Sequence, residues 1–176
     1  MNTQKYETYK SIHESLSKAL KYGFYYEAIF LEYAIVEDRL ASVLKYAGIP
    51  YIDKNGQDVS ISKKLNLIES RKELLDKFYR DWLTKELIQE CRVWIKERND
   101  LIHHMANLPY DSELVQKVAV EGNELVEKVK NKSASVINRL KKNTWVGGGE
   151  EKHYGSRIVQ PTIFFRKFLP NHLHPI

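Results

Sequence analysis

The sequence predicts an all-α protein: an antiparallel up-and-down bundle of four to five helices, followed by an extended, non-helical C-terminal arm. Three observations carry this. Apolar residues recur at helical spacing over most of residues 3–143, and breakers such as Gly23, Gly48, Pro50 and Pro109 divide the pattern into segments. After residue 143 the periodicity gives way to a glycine run, three prolines and aromatic clusters. At 176 residues, 43% of them hydrophobic, the chain is long enough for one proper core and short for two. The bundle is therefore placed at 1–143 and the arm at 144–176.

The first helix is capped by Thr3 or Thr8, carries Ile12, Leu16 and Leu20 as its apolar stripe, and stops at Gly23. The second spans about Tyr25 to Ala47. Its Ala28, Ile29, Leu31, Ala34, Ile35, Val36, Leu40, Val43 and Leu44 cover nearly the whole circumference at about 100° per residue. Such a helix needs partners on more than one side, in a core or across an oligomer interface. Gly48 and Pro50 end it, and "YIDKNGQDVS" reads as a turn-rich loop. Ser60 or Ser62 opens a third helical stretch, broken near Asp81 to Lys85 and continuing to Asn107 and Pro109. Asp111 or Ser112 caps a last long helix that reaches about Asn143.

Composition bounds the partners. Eleven Tyr, six Phe and three Trp argue against disorder. The formal charge of +5, with a pI near 9.1, favours polyanions, but Lys is scattered among Glu along the helices, so no DNA-specific binding is expected. One cysteine, Cys91, excludes an internal disulfide and a cysteine-based zinc site, and reads as a core thiol. No stretch approaches the roughly 20 apolar residues of a spanning helix, and "MNTQKYETYKSIHESLSK" has no apolar signal core, so a cytoplasmic location and no membrane partner are expected.

The chemistry concentrates in "ERNDLIHHMAN", residues 97–107. On a helical wheel Leu87, Cys91, Trp94, Ile95, Ile102 and Met105 all fall within about 60° of Arg98, which puts a guanidinium in an apolar stripe. It must find a carboxylate, an aromatic face, a cleft or a bound anion, because an unpaired buried charge costs several kcal/mol. Asn99 and His103, four apart, share one flank of that stripe. Arginine's planar fork suits phosphate, and histidine is the side chain that gives and takes a proton. Together they suit metal-free cleavage of a phosphodiester through a ribose 2′-hydroxyl, hence of RNA.

Spacing alone does not select this pair: with six His in 176 residues, an Arg shortly ahead of some His is expected about once by chance. Arg166 and His172 have a similar separation, but Pro170 between them forbids a continuous helix. Only the first pair has an Asn after the Arg, an apolar helix around it and a helix end just past the His.

"RNDLIH", Arg98 to His103 near the end of a long penultimate bundle helix, resembles the Arg-polar-(x3)-His motif of the HEPN domains, the higher eukaryote and prokaryote nucleotide-binding family. The resemblance covers about residues 1–143. It implies a metal-independent endoribonuclease fold of the toxin–antitoxin or phage-defence kind, needing no cofactor. Such domains work as homodimers whose two motifs share one cleft, some restrained by an antitoxin such as a nucleotidyltransferase-type partner. Carried over by position, Arg98 and His103 are catalytic and Asn99 supports them. His104, Arg39 and Glu32 are candidate substrate-binding residues, with Glu32 and Arg39 on one side of the second helix, reaching the groove or pairing. The alternative within the family is an inactive helical dimer that binds nucleotide, RNA or protein.

Other features read as structure. His103 and His104 diverge by about 100° and make a poor metal pair. His153, His172 and His174 read as solvated arm residues, and Tyr25, Tyr26 and Tyr33 as core filling rather than base-stacking groups. "VGGGEE" lacks the Lys-Ser/Thr ending of a phosphate loop, so nucleotide hydrolysis is unsupported.

Overall fold

The computed structural model describes residues 3–71, 84–105 and 111–146, all of which belong to one compact unit, Met1–Val146. Among the described residues five α-helices make up this unit: α1 Thr3–Tyr22, α2 Tyr25–Tyr46, α3 Ile61–Ser70, α4 Lys85–His104 and α5 Ser112–Val146. Among the described residues the one β feature is an isolated antiparallel bridge between Ile52 and Asp58.

The helix ends follow the local chemistry. Gly23 and Gly48 both adopt positive φ, 75° and 68°. At the first, Phe24 N–H donates to Ala19 O at 2.8 Å and Gly23 N–H to Leu20 O at 3.3 Å; at the second, Ile49 N–H donates to Leu44 O at 2.9 Å and Gly48 N–H to Lys45 O at 3.1 Å. These are paired Schellman closures, which satisfy the last carbonyls and turn the chain away from the helix axis. Three helix starts carry side-chain caps: Ser60 accepts from Lys63 N–H, Thr84 from Leu87 N–H, and Asp111 from Glu113 and Leu114 N–H.

Helix α2 is the central element, packed on α1, α3 and α5, while α4 packs on α5 and α3. The partners that its apolar circumference requires are thus found within one chain. Ala28, Ile29, Leu31, Ile35, Val36, Leu40, Val43 and Leu44 are all buried, but Ala34 is not: it lies with Glu27 and Phe30 on an exposed strip.

Two boundaries differ from expectation. Helix α5 runs three residues past Asn143, because the sequence offers no glycine or proline until Gly147. Residues 144–146 of the expected arm are thus helical; the rest of 144–176, including His153, His172 and His174, lies outside the described residues, as does the break expected near Asp81 to Lys85 up to residue 83. Helix α4 ends at His104, with Met105 as its C-cap.

Lys64 is fully buried, with Nζ donating to Glu37 Oε1 and Asp58 Oδ2, each at 3.0 Å. It ties the 51–59 loop to α2 and α3. Replacing Lys64 with alanine leaves two carboxylates facing one another over a vacated cavity. Breaking a buried pair costs about 3–5 kcal/mol, and the partial exposure of both acids moves the expectation below that range, to about 2–3 kcal/mol. Urea denaturation checks this; a midpoint unchanged from the parent would show that the pair contributes nothing.

Candidate functional site

Helix α4 delivers the motif. Its buried side, Leu87, Ile88, Cys91, Trp94 and Ile95, faces the core, and Trp94 is pinned by an Nε1–H bond to Val118 O of 3.0 Å. One turn beyond Trp94, where the helix leaves the core, stands Arg98. Its guanidinium carbon lies 4.5 Å from the Tyr33 ring centroid and 5.2 Å from that of Phe30, both on α2. Nη1 donates to Asn99 Oδ1 at 3.0 Å, while Nε is buried with no hydrogen-bond partner.

Among the described residues Arg98 has no ion pair. Burial draws its pKa down from the ordinary arginine value, with Tyr33 and Glu37 acting in the opposite sense. Glu37 is the carboxylate whose field reaches it, and Glu37 is already bonded to Lys64. The result is a half-buried cation supported by two ring faces and one amide oxygen, with no acid paired to it among the described residues. Stacking on aromatic faces contributes about 0.5–2 kcal/mol, which offsets part of the desolvation. The site remains complementary to an anion.

The structure joins Arg98 and Asn99 directly. His103 is exposed in the last turn of α4, one turn past Asn99, at the negative end of the helix. His104, also exposed, faces another way: its Nδ1 lies 2.7 Å from Asp100 O, and a carbonyl partner requires that nitrogen to carry the proton.

Two candidates fall elsewhere. Arg39 bonds to Asp38 through Nε and Nη2 and lies 4.4 Å over the Tyr9 ring of α1. Burial alone would raise the Asp38 carboxyl, yet Arg39 and Lys5 hold it below its ordinary range. Glu32 is fully buried, and neither carboxyl oxygen has a hydrogen-bond partner. It therefore neither pairs with Arg39 nor reaches a substrate groove. The two share a side of α2 as the wheel implies, but α1 occupies one end of that side and α5 the other.

The rings beneath Arg98 are Phe30, which sequence reasoning passed over, and Tyr33, which it read as core filling. An aromatic pair three apart on a helix was the available signal; what it lacked was the identity of the facing helix. Cys91 is buried and its thiol is pushed up to about 12, chiefly by burial, so it serves the core and not as a nucleophile. An open depression of about 410 Å³ is lined by Lys10, His13, Glu14, Ser17 and Lys18, all from α1. With walls from a single helix, it does not gather groups as the Arg98 region does. Among the described residues no cluster of three or more His, Cys, Asp or Glu is placed to hold a metal ion, and no helix is long and apolar enough to cross a membrane.

No family model, curated protein or solved structure matches the chain.

Proposed function

We propose that the chain is a metal-independent endoribonuclease of HEPN type, with Arg98 as the phosphate ligand and His103 as the proton-transfer group. One observation carries the reading: a half-buried guanidinium without a carboxylate partner among the described residues, held by two rings and by Asn99, itself one turn from an exposed histidine on the same helix. In this reading His103 removes the proton from a ribose 2′-hydroxyl, and the 2′-oxygen attacks the adjacent phosphorus. The P–O5′ bond breaks, and the departing oxygen takes up a proton. The products are a 2′,3′-cyclic phosphate and a 5′-hydroxyl end. Arg98 stabilises the charge that builds on the phosphoryl oxygens.

A homodimer that brings two motifs to one cleft supplies a second histidine, so that one acts as base and the other as acid. A toxin or defence role, with an antitoxin as restraint, follows from the same resemblance. A second reading, a catalytically silent RNA-binding module, is favoured by one feature: Asn99 anchors Arg98, whereas no described residue forms a hydrogen bond with His103. The experiment is incubation of the pure chain and of His103→Ala with unstructured RNA in EDTA, followed by mapping of the ends. Cyclic-phosphate ends from the parent alone support the nuclease. Intact RNA that both proteins bind equally well supports the module.

A further inference from the structure

We propose that Phe30 is a base-stacking subsite beside Arg98, so that the ligand is single-stranded RNA with one nucleobase laid on this ring; the inference rests on the RNA reading of Arg98. Phe30 is 45% exposed and does not belong to the hydrophobic core, although its helix carries buried residues on most sides. Its neighbour at i+4, Ala34, is exposed and small, and leaves the space beside the ring open. Tyr33, which holds the same guanidinium at 4.5 Å, is packed against the core. The two rings thus divide the work: Tyr33 supports Arg98 from within, and Phe30 presents an aromatic surface to solvent next to it.

The choice of occupant follows from charge. A second copy of the chain laying an apolar surface on Phe30 would cover Arg98 as well, and would bury its cation without compensation. A nucleotide brings a ring for Phe30 and an anion for Arg98 in one unit. Exposed Glu27 on the same strip repels phosphate from the other side of the ring, which orients the strand toward Arg98. Bases within a duplex are already stacked and cannot occupy the ring, which selects single strands.

Binding is measured on the full chain carrying His103→Ala, so that RNA is not consumed. The probes are a short unstructured RNA, its duplex and an abasic strand of equal length. Phe30→Ala is expected to lower affinity for the single strand about ten-fold and to weaken the abasic strand much less, because Tyr33 and Asn99 still hold Arg98, and Phe30→Trp to retain affinity. Arg98→Ala is expected to weaken binding of both strands. If Phe30→Ala binds the single strand as well as its parent while Arg98→Ala does not, the subsite is wrong and the RNA reading stands. If Arg98→Ala changes nothing, the RNA reading itself fails. Sedimentation of Phe30→Ala closes the remaining route: loss of a dimer together with equal losses for all three probes would make the ring a contact between copies and overturn the subsite.

Discussion

On the proposed ribonuclease reading, Arg98→Ala and Arg98→Lys are both expected to lose RNA cleavage by about 10²–10³-fold, the range seen when a donor to transition-state charge is removed. Lysine is the more informative of the two. It keeps the positive charge but loses the planar fork, the stacking on Phe30 and Tyr33 and the bond to Asn99 that together fix the charge in place. His103→Ala removes proton transfer and is expected to cost about 10²–10⁴-fold. Asn99→Ala leaves both groups present and frees the guanidinium, so a loss of about ten-fold is expected, consistent with a positioning role. None of these changes should unfold the chain. Arg98 is half-buried and carries a desolvated charge, so its removal sacrifices ring contacts and relieves desolvation at once. Far-UV circular dichroism and urea midpoints check this independently of activity. An Arg98→Lys variant that cuts at the parental rate would show that fixed geometry is not needed, and would end the assignment of Arg98 to the transition state.

The largest effects on stability are expected where α2, α4 and α5 meet around Gly122. A glycine inside a helix normally costs about 1 kcal/mol relative to alanine, so Gly→Ala is usually stabilising. Here a Cβ would overlap the Glu32 carboxyl group and come 2.8 Å from Trp94 Cζ2. Trp94 cannot yield without breaking its bond to Val118, and Glu32 is fully enclosed. Overpacking of this kind costs about 1–3 kcal/mol. Gly122→Ala is therefore expected to destabilise by about 2 kcal/mol in spite of its helix propensity, as read from urea denaturation. A rise in stability would mean that the notch is not closed.

Glu32 makes the same junction sensitive to pH. With no partner for either oxygen, burial pushes its carboxyl up to about 8 from 4.5. The folded pKa lies above the unfolded one, so the neutral form is the one the fold accepts. Stability from this group is complete below about pH 4.5, declines as pH rises, and levels off above about 8. At about 1.4 kcal/mol per unit the full loss is on the order of 4–5 kcal/mol. Glu32→Gln keeps the shape without the charge and is expected to flatten the decline between about pH 5 and 8. If parent and variant show the same pH slope, the carboxyl is not the cause.

Much of the architecture is written locally. Gly23 and Gly48 end helices because they supply the positive φ that a Schellman closure needs, and Ser60, Thr84 and Asp111 begin them because their oxygens accept from the first free amides. Such signals act within a few residues and can be read without knowing the fold. The same holds for Arg98 among the apolar residues of α4, with Asn99 and His103 along one flank: helical geometry alone puts them there.

The tertiary structure decided which neighbour fills each direction around a helix. Periodicity assigns an angle to every side chain but not the element that meets it, because crossing and pairing depend on contacts far apart in the chain. Thus α2's apolar circumference is covered by α1, α3 and α5 of its own chain, and the side that carries Glu32 and Arg39 is divided between α5 and α1. Tyr33, readable from the sequence only as core filling, became with Phe30 the platform on which Arg98 rests. The sequence by itself determined where the helices lie and that a cation stands in an apolar stripe; only packing determined that, among the described residues, this cation meets two rings and an amide and no carboxylate.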